Sequence, residues 1–138
     1  MPLPDNLPLN PKAVYGDAKV PLHLCPPRAW VEWAKAQADG ADKYGAFNWR
    51  KNPVKASTYL GAIYRHAVQF SMGQDRDPEA KSLVHNLGSI MACCAILIDA
   101  QAQDTLIDDR FAEDNEATVD ALTDYRDRKL QMAAEGPT

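Results

Sequence analysis

LGSIMACCAILI, from Leu87 to Ile98, is apolar or small at almost every position. A helix that is apolar on nearly all sides belongs in the middle of a fold, with other helices laid against it. The run is too short for a membrane span, which needs ~20 apolar residues. Just upstream, Asp77-Pro78-Glu79 has the form of an N-cap, a first-turn proline and a first-turn acid. The spacing therefore predicts a helix from there to about Gln103. Before it, Leu60, Ile63, Tyr64, Ala67 and Phe70 recur at helical spacing between about Lys55 and Met72, and Gly73 closes that helix. Tyr59 and His66 fall at the edge of its apolar face. An earlier helix starts at Pro26-Pro27 and runs to about Asp39, with Trp30, Val31, Ala34 and Ala38 as its stripe and Gly40 as its stop. No segment alternates as a strand would. The expected fold is all-α, with three main helices.

The two ends differ from this middle. Residues 1–27 carry Pro2, Pro4, Pro8, Pro11, Pro21, Pro26 and Pro27, which excludes a long helix or a central strand and predicts an extended arm. Residues 104–138 form an acidic, peripheral segment, with a weaker helix from about Glu116 to Leu130 bearing Val119, Leu122 and Tyr125 on one side. At 138 residues the chain is expected to be a single domain. Helices this long in so small a chain, with little else to cover them, predict a homo-oligomer.

Composition narrows the function. A net charge of -4 argues against a dedicated nucleic-acid binder, which neutralises phosphates with Lys and Arg. Three cysteines, with Cys93 and Cys94 adjacent, make no disulfide framework. They read as small buried hydrophobes of a protein kept in a reducing cytoplasm. The start, MPLPDN, has no signal-peptide pattern, and no membrane association is expected.

The chemistry-bearing residues lie in KYGAFNWR (Lys43 to Arg50), YRH (Tyr64 to His66) and GQDRDPE (Gly73 to Glu79). Together they supply flat rings for stacking, an amide for a base edge, positive charge for phosphates and carboxylates for a divalent ion. A nucleotide requires that mixture. No Walker loop and no GxGxxG turn is present, so phosphate binding would have to come from side chains. Asp75, Asp77 and Glu79 offer three carboxylates in five residues, suited to a hard cation such as Mg²⁺. The competing reading is that Asp77 caps a helix while Asp75 and Glu79 face water. Glu32 is a further candidate ligand, or else part of an ion-pair ladder with Lys35 and Asp39. His66 and His85 can hydrogen-bond a phosphate or act as general acid or base, or simply be satisfied core polar groups. Tyr44 and Trp49 can stack on a base and Asn48 can read its edge. Lys19, Lys43, Arg50 and Arg65 are candidate phosphate contacts.

The joint pattern resembles a known family. Gly16-Asp17-Ala18-Lys19 with Leu22, Leu24 and Pro26, then Lys43-Tyr44-Gly45, Asn48-Trp49-Arg50, Tyr59, Ala62, Arg65-His66, Gly73-Gln74, Asp77, Glu79 and His85 are similar to the dATP/dGTP diphosphohydrolase N-terminal-domain family. These are MazG-like all-α nucleotide pyrophosphohydrolases, including the phage MazZ type. The resemblance covers roughly Lys12 to Asp99. It implies a MazG-like helical bundle, dimeric or tetrameric, that uses Mg²⁺ or Mn²⁺ to convert a purine deoxynucleoside triphosphate, dGTP first with dATP or GTP as alternatives, to the monophosphate. It further implies supply of dGMP for phage 2-aminoadenine metabolism in the host cytoplasm. Two departures stand out: Gln74 replaces a usual Glu, and the stretch between Glu79 and His85 lacks a usual Ser-Gly. They leave open a second reading, a helical regulatory module that binds nucleotide without cleaving it, and a third, a purely structural oligomer.

Overall fold

Alanine, glycine and valine fill the interior, and their small size sets how closely the helices pack. The computed structural model describes residues 1–78, 83–111 and 115–137. Its helices are α1 (Lys12–Gly16), α2 (Pro27–Tyr44), α3 (Asn48–Lys51), α4 (Ala56–Ser71), α5 (Asn86–Ala102) and α6 (Asn115–Glu135). Strands β1 (Val54–Lys55) and β2 (Leu106–Ile107) are two residues each and pair in parallel, Val54 opposite Leu106. The all-α expectation holds. Met1–Ile107 forms one compact unit and Asp108–Thr138 another.

In the first unit α5 packs against both α2 and α4, so the Leu87–Ile98 run is the central helix. Ala36, Val84 and Ala92 are buried together with Trp33 packed against them. Val54, Ala56 and Ala100 are buried where the strand pair meets the helices. There the Val54 amide donates to the Thr105 carbonyl at 3.0 Å, and the Thr105 amide to Ala100 at 2.9 Å. Upstream, residues 1–26 are almost all exposed, α1 and a short 3₁₀ turn at Leu22–Leu24 being their regular structure. In the second unit, α6 carries an Asp124–Arg128 ion pair one turn apart at 2.9 Å.

Three details of α2 and α4 depart from expectation, each for a packing reason. Helix α2 continues past Gly40 to Tyr44 and stops at Gly45, whose φ of 92° is left-handed and suits glycine. One helix-interior glycine costs only ~1 kcal/mol, too little to end a helix that is packed on a neighbour. The face that α2 buries runs through Trp33 and Ala36, whereas Trp30 and Val31 stay largely exposed. On α4, Tyr64 and Ala67 are exposed, and Tyr59 and His66 turn toward the interior. Small residues on α5 admit these faces closely, and hydrophobicity alone does not register that.

The largest departure is the start of α5. Its N-cap is His85, whose Nδ1 accepts from the Leu87 amide at 3.0 Å. Asp77 is therefore not the cap of α5. It sits in a clip between 75–77 and 84–86: the Asp77 amide donates to Val84 at 3.0 Å and the Asn86 amide to Asp75 at 2.7 Å. Glu79 lies outside the described residues. Among the cysteines, Cys93 is half-buried but Cys25 and Cys94 are exposed, against the expectation of buried hydrophobes.

Candidate active site

The turn after α2 builds the site. Gly45 reverses the chain, Phe47 takes a left-handed φ of 59°, and α3 then presents Asn48 and Trp49 back toward α2. This encloses a cavity of about 170 Å³. Lys43, Tyr44, Asn48 and Trp49 line one side, and Tyr59, His66, Ser89 and Cys93 come from α4 and α5. Five of the residues singled out from sequence thus meet at one place. The volume is below the ~300–1,000 Å³ typical of a pocket enclosing a whole ligand, so it matches one ring system with the rest of a substrate outside. Lys43 holds Asp39 at 2.9 Å, and that hydrogen bond raises the lysine pKa. Burial raises the Tyr59 pKa and keeps its phenol neutral, and burial pushes the Cys93 thiol up to about 11.

His66 connects the cavity to the acidic clip. Its Nδ1 lies 2.7 Å from Asn86 Oδ1 and 3.8 Å from Asp77 Oδ2. Asn86, wholly buried, also donates from Nδ2 to the Gln74 carbonyl at 2.8 Å. Gln74 thus contributes its backbone, and Asp75 contributes its carbonyl to the Asn86 amide. The Asp75 residue is exposed and Asp77 is buried, which favours Asp77 as the carboxylate closer to the site.

Glu32 approaches from α2. Its Oε1 lies 3.5 Å from Lys35 and 4.0 Å from Arg28, and its Oε2 is 3.8 Å from Arg76. Even so, Oε2 is buried and accepts no hydrogen bond among the described residues. A buried carboxylate oxygen without a donor is costly, and a bound cation would relieve it. The Glu32–Lys35 contact is a rung of the expected ladder, but Asp39 pairs with Lys43.

A model of the dATP/dGTP diphosphohydrolase N-terminal family matches residues 9–110 of the chain. The chain belongs to that family. Similar to it is the dATP/dGTP diphosphohydrolase of Salmonella phage PMBT28, 35% identical over 65 residues. The aligned part is 47% of this chain and 22% of that relative, so the chain spans roughly a fifth of the relative's length. No solved structure matches.

Within this family member, the remaining cations are placed away from the cavity lining. Arg50 makes a two-pronged bond to Asp99 of α5, 2.7 Å on each arm, with its guanidinium carbon 5.5 Å from the Trp49 ring centre. It anchors the loop that carries Trp49. Arg65 is exposed, with Nη1 folded over Gly61, and Lys19 lies in the exposed N-terminal stretch. His85 is spent on capping α5 and stands 5.9 Å from the Phe70 ring. Two residues with structural roles at the site were missed from the sequence. Asn86 reaches His66 across 20 positions and Asp99 reaches Arg50 across 49. A histidine–asparagine pair at the head of an apolar helix is the one local hint of the first.

Proposed function

We propose that this protein hydrolyses purine deoxynucleoside triphosphates, dGTP foremost, to the monophosphate and pyrophosphate with Mg²⁺ or Mn²⁺. The observation that carries the reading is the meeting of Lys43, Tyr44, Asn48, Trp49 and His66 on one cavity, in a chain of this family. Trp49 and Tyr44 supply faces on which a base stacks, and Asn48 supplies both a donor and an acceptor to its edge. Lys43 brings positive charge to the cavity wall. The triphosphate would extend past His66 toward Asp77 and Glu32.

The Glu32 oxygen that accepts no hydrogen bond and the buried Asp77 fit a hard cation, and they are the residues that would hold it, together with Glu79 from outside the described residues. Among the described residues no three His, Cys, Asp or Glu side chains converge as a ready-made cage. Mg²⁺ commonly takes one or two carboxylates and completes its shell with water and substrate phosphates. When bound, such an ion neutralises phosphate charge and lowers the pKa of water. His66 is placed to accept a proton or a hydrogen bond beside it. An assembly of two or four copies belongs to the same proposal.

Purified protein is incubated with deoxynucleoside and nucleoside triphosphates plus Mg²⁺ or Mn²⁺, and the products are resolved by chromatography. Formation of dGMP that EDTA abolishes is the expected result. Intact nucleotides in the presence of saturable binding would reject hydrolysis and leave a nucleotide-binding module.

A further inference from the structure

The geometry points to Asn86 as a positioning residue that fixes His66 in the tautomer protonated at Nδ1, leaving Nε2 as a bare acceptor for the cavity. The inference deepens the hydrolase reading and rests on it for the chemical role, although the tautomer itself does not.

The argument starts from what each partner is able to do. The Gln74 carbonyl is an acceptor only, so the Asn86 atom 2.8 Å from it must be the NH₂ group. That places Oδ1, also an acceptor only, 2.7 Å from His66 Nδ1. Two acceptors at that distance repel, so Nδ1 must carry the proton. The Asp77 carboxylate, 3.8 Å from the same nitrogen, attracts the proton to the same edge. Asn86 is wholly buried, and turning its side-chain amide would set Oδ1 against the Gln74 carbonyl, so it cannot offer its NH₂ to His66 instead. With Nδ1 spent, Nε2 is the ring nitrogen left as the acceptor of neutral His66, a residue of the cavity lining. Such a nitrogen accepts a proton from an attacking water; it does not donate to a phosphate oxygen.

His85 is the built-in contrast. Its Nδ1 accepts from the Leu87 amide, so that ring must carry its proton on Nε2. Two histidines flanking one clip are thereby held in opposite tautomers.

The test is ¹⁵N NMR of the whole chain, labelled at histidine, at a pH where the rings are neutral, with His66→Gln and His85→Gln assigning the signals. The expected spectrum shows His66 protonated at Nδ1 and His85 at Nε2. His66 protonated at Nε2 in the wild-type protein overturns the inference, whether or not any variant folds. Asn86→Asp keeps an acceptor facing Nδ1 and should keep the His66 signature, whereas Asn86→Ala should lose it. In turnover, Asn86→Ala should lower kcat at least ten-fold with little change in KM, and Asn86→Asp should recover part of it. An unchanged kcat in a folded Asn86→Ala protein would overturn the chemical role. If no nucleotide is turned over and His66 still shows Nδ1–H, the hydrolase reading falls while the tautomer assignment stands.

Discussion

Gly88 of α5 touches the backbone of Glu32 of α2: a Cβ added at Gly88 would lie 2.6 Å from the Glu32 carbonyl oxygen and 2.9 Å from its carbonyl carbon. Only glycine lets the two helices approach this closely at the level of the candidate metal carboxylate. The contact is backbone against backbone, so no flexible side chain can give way.

Gly88→Ala should therefore force α2 and α5 apart. The expected loss is about 1–3 kcal/mol, the usual cost of overpacking, read as a lower midpoint in urea unfolding with the slope unchanged. Helix propensity works the other way and would favour alanine. An unchanged or raised midpoint would show that the helices separate at no cost.

The Arg50–Asp99 pair should carry a pH signature. The hydrogen bond from Arg50 holds the Asp99 carboxyl below its usual value of 3.8. A group depressed in the folded state stabilises the fold above its unfolded pKa and stops doing so as pH falls through the folded one. In Asp99→Asn, stability should thus depend less steeply on pH below about 4, the ordinary carboxylate range. Arg50→Lys should loosen the loop as well, because lysine cannot form the two-pronged bond. A blue shift or quench of Trp49 fluorescence on saturating nucleotide should weaken in both variants.

Cysteine reactivity should split sharply. Cys25 and Cys94 are exposed, while burial lifts the Cys93 thiol to about 11. The thiolate is the reactive form, so at pH 8 a thiol reagent should label two cysteines quickly and Cys93 far more slowly. Mass spectrometry of labelled peptides reads this directly. Since Cys93 lines the cavity, bound nucleotide should slow its labelling further and leave Cys25 unaffected.

Asp77→Asn keeps the shape of a buried side chain and removes its charge. If Asp77 holds the metal, turnover should fall about 100-fold, the scale of losing one preorganised electrostatic contact. Glu32→Gln should raise the Mg²⁺ concentration needed for half-maximal rate. Full turnover in Asp77→Ala would remove that residue from the metal site.

Much of this was legible along the chain because the signals are local. The apolar run from Leu87 to Ile98, the periodic residues of α4 and the Pro26-Pro27 start of α2 each declare a helix through their own neighbours. Tyr44, Asn48 and Trp49 stood out because they lie off any periodic stripe. The start of α5 misled for a related reason: Asp77-Pro78-Glu79 satisfies capping preferences, but α5 begins at Asn86, where His85 supplies the cap.

The sequence by itself determined the helical class, the central helix and the family, since periodicity, proline placement and motif order require no knowledge of what lies across the fold. Only the tertiary structure decided which faces meet, and through them the site. Glycine at 88 and alanine at 36 and 92 bring α2 against α5 on a face other than the most hydrophobic one. Partners 20 and 49 residues apart, His66 with Asn86 and Arg50 with Asp99, follow from that choice of face. A short-range pattern specifies an element; the rotation of one element on another depends on atoms that touch only after folding.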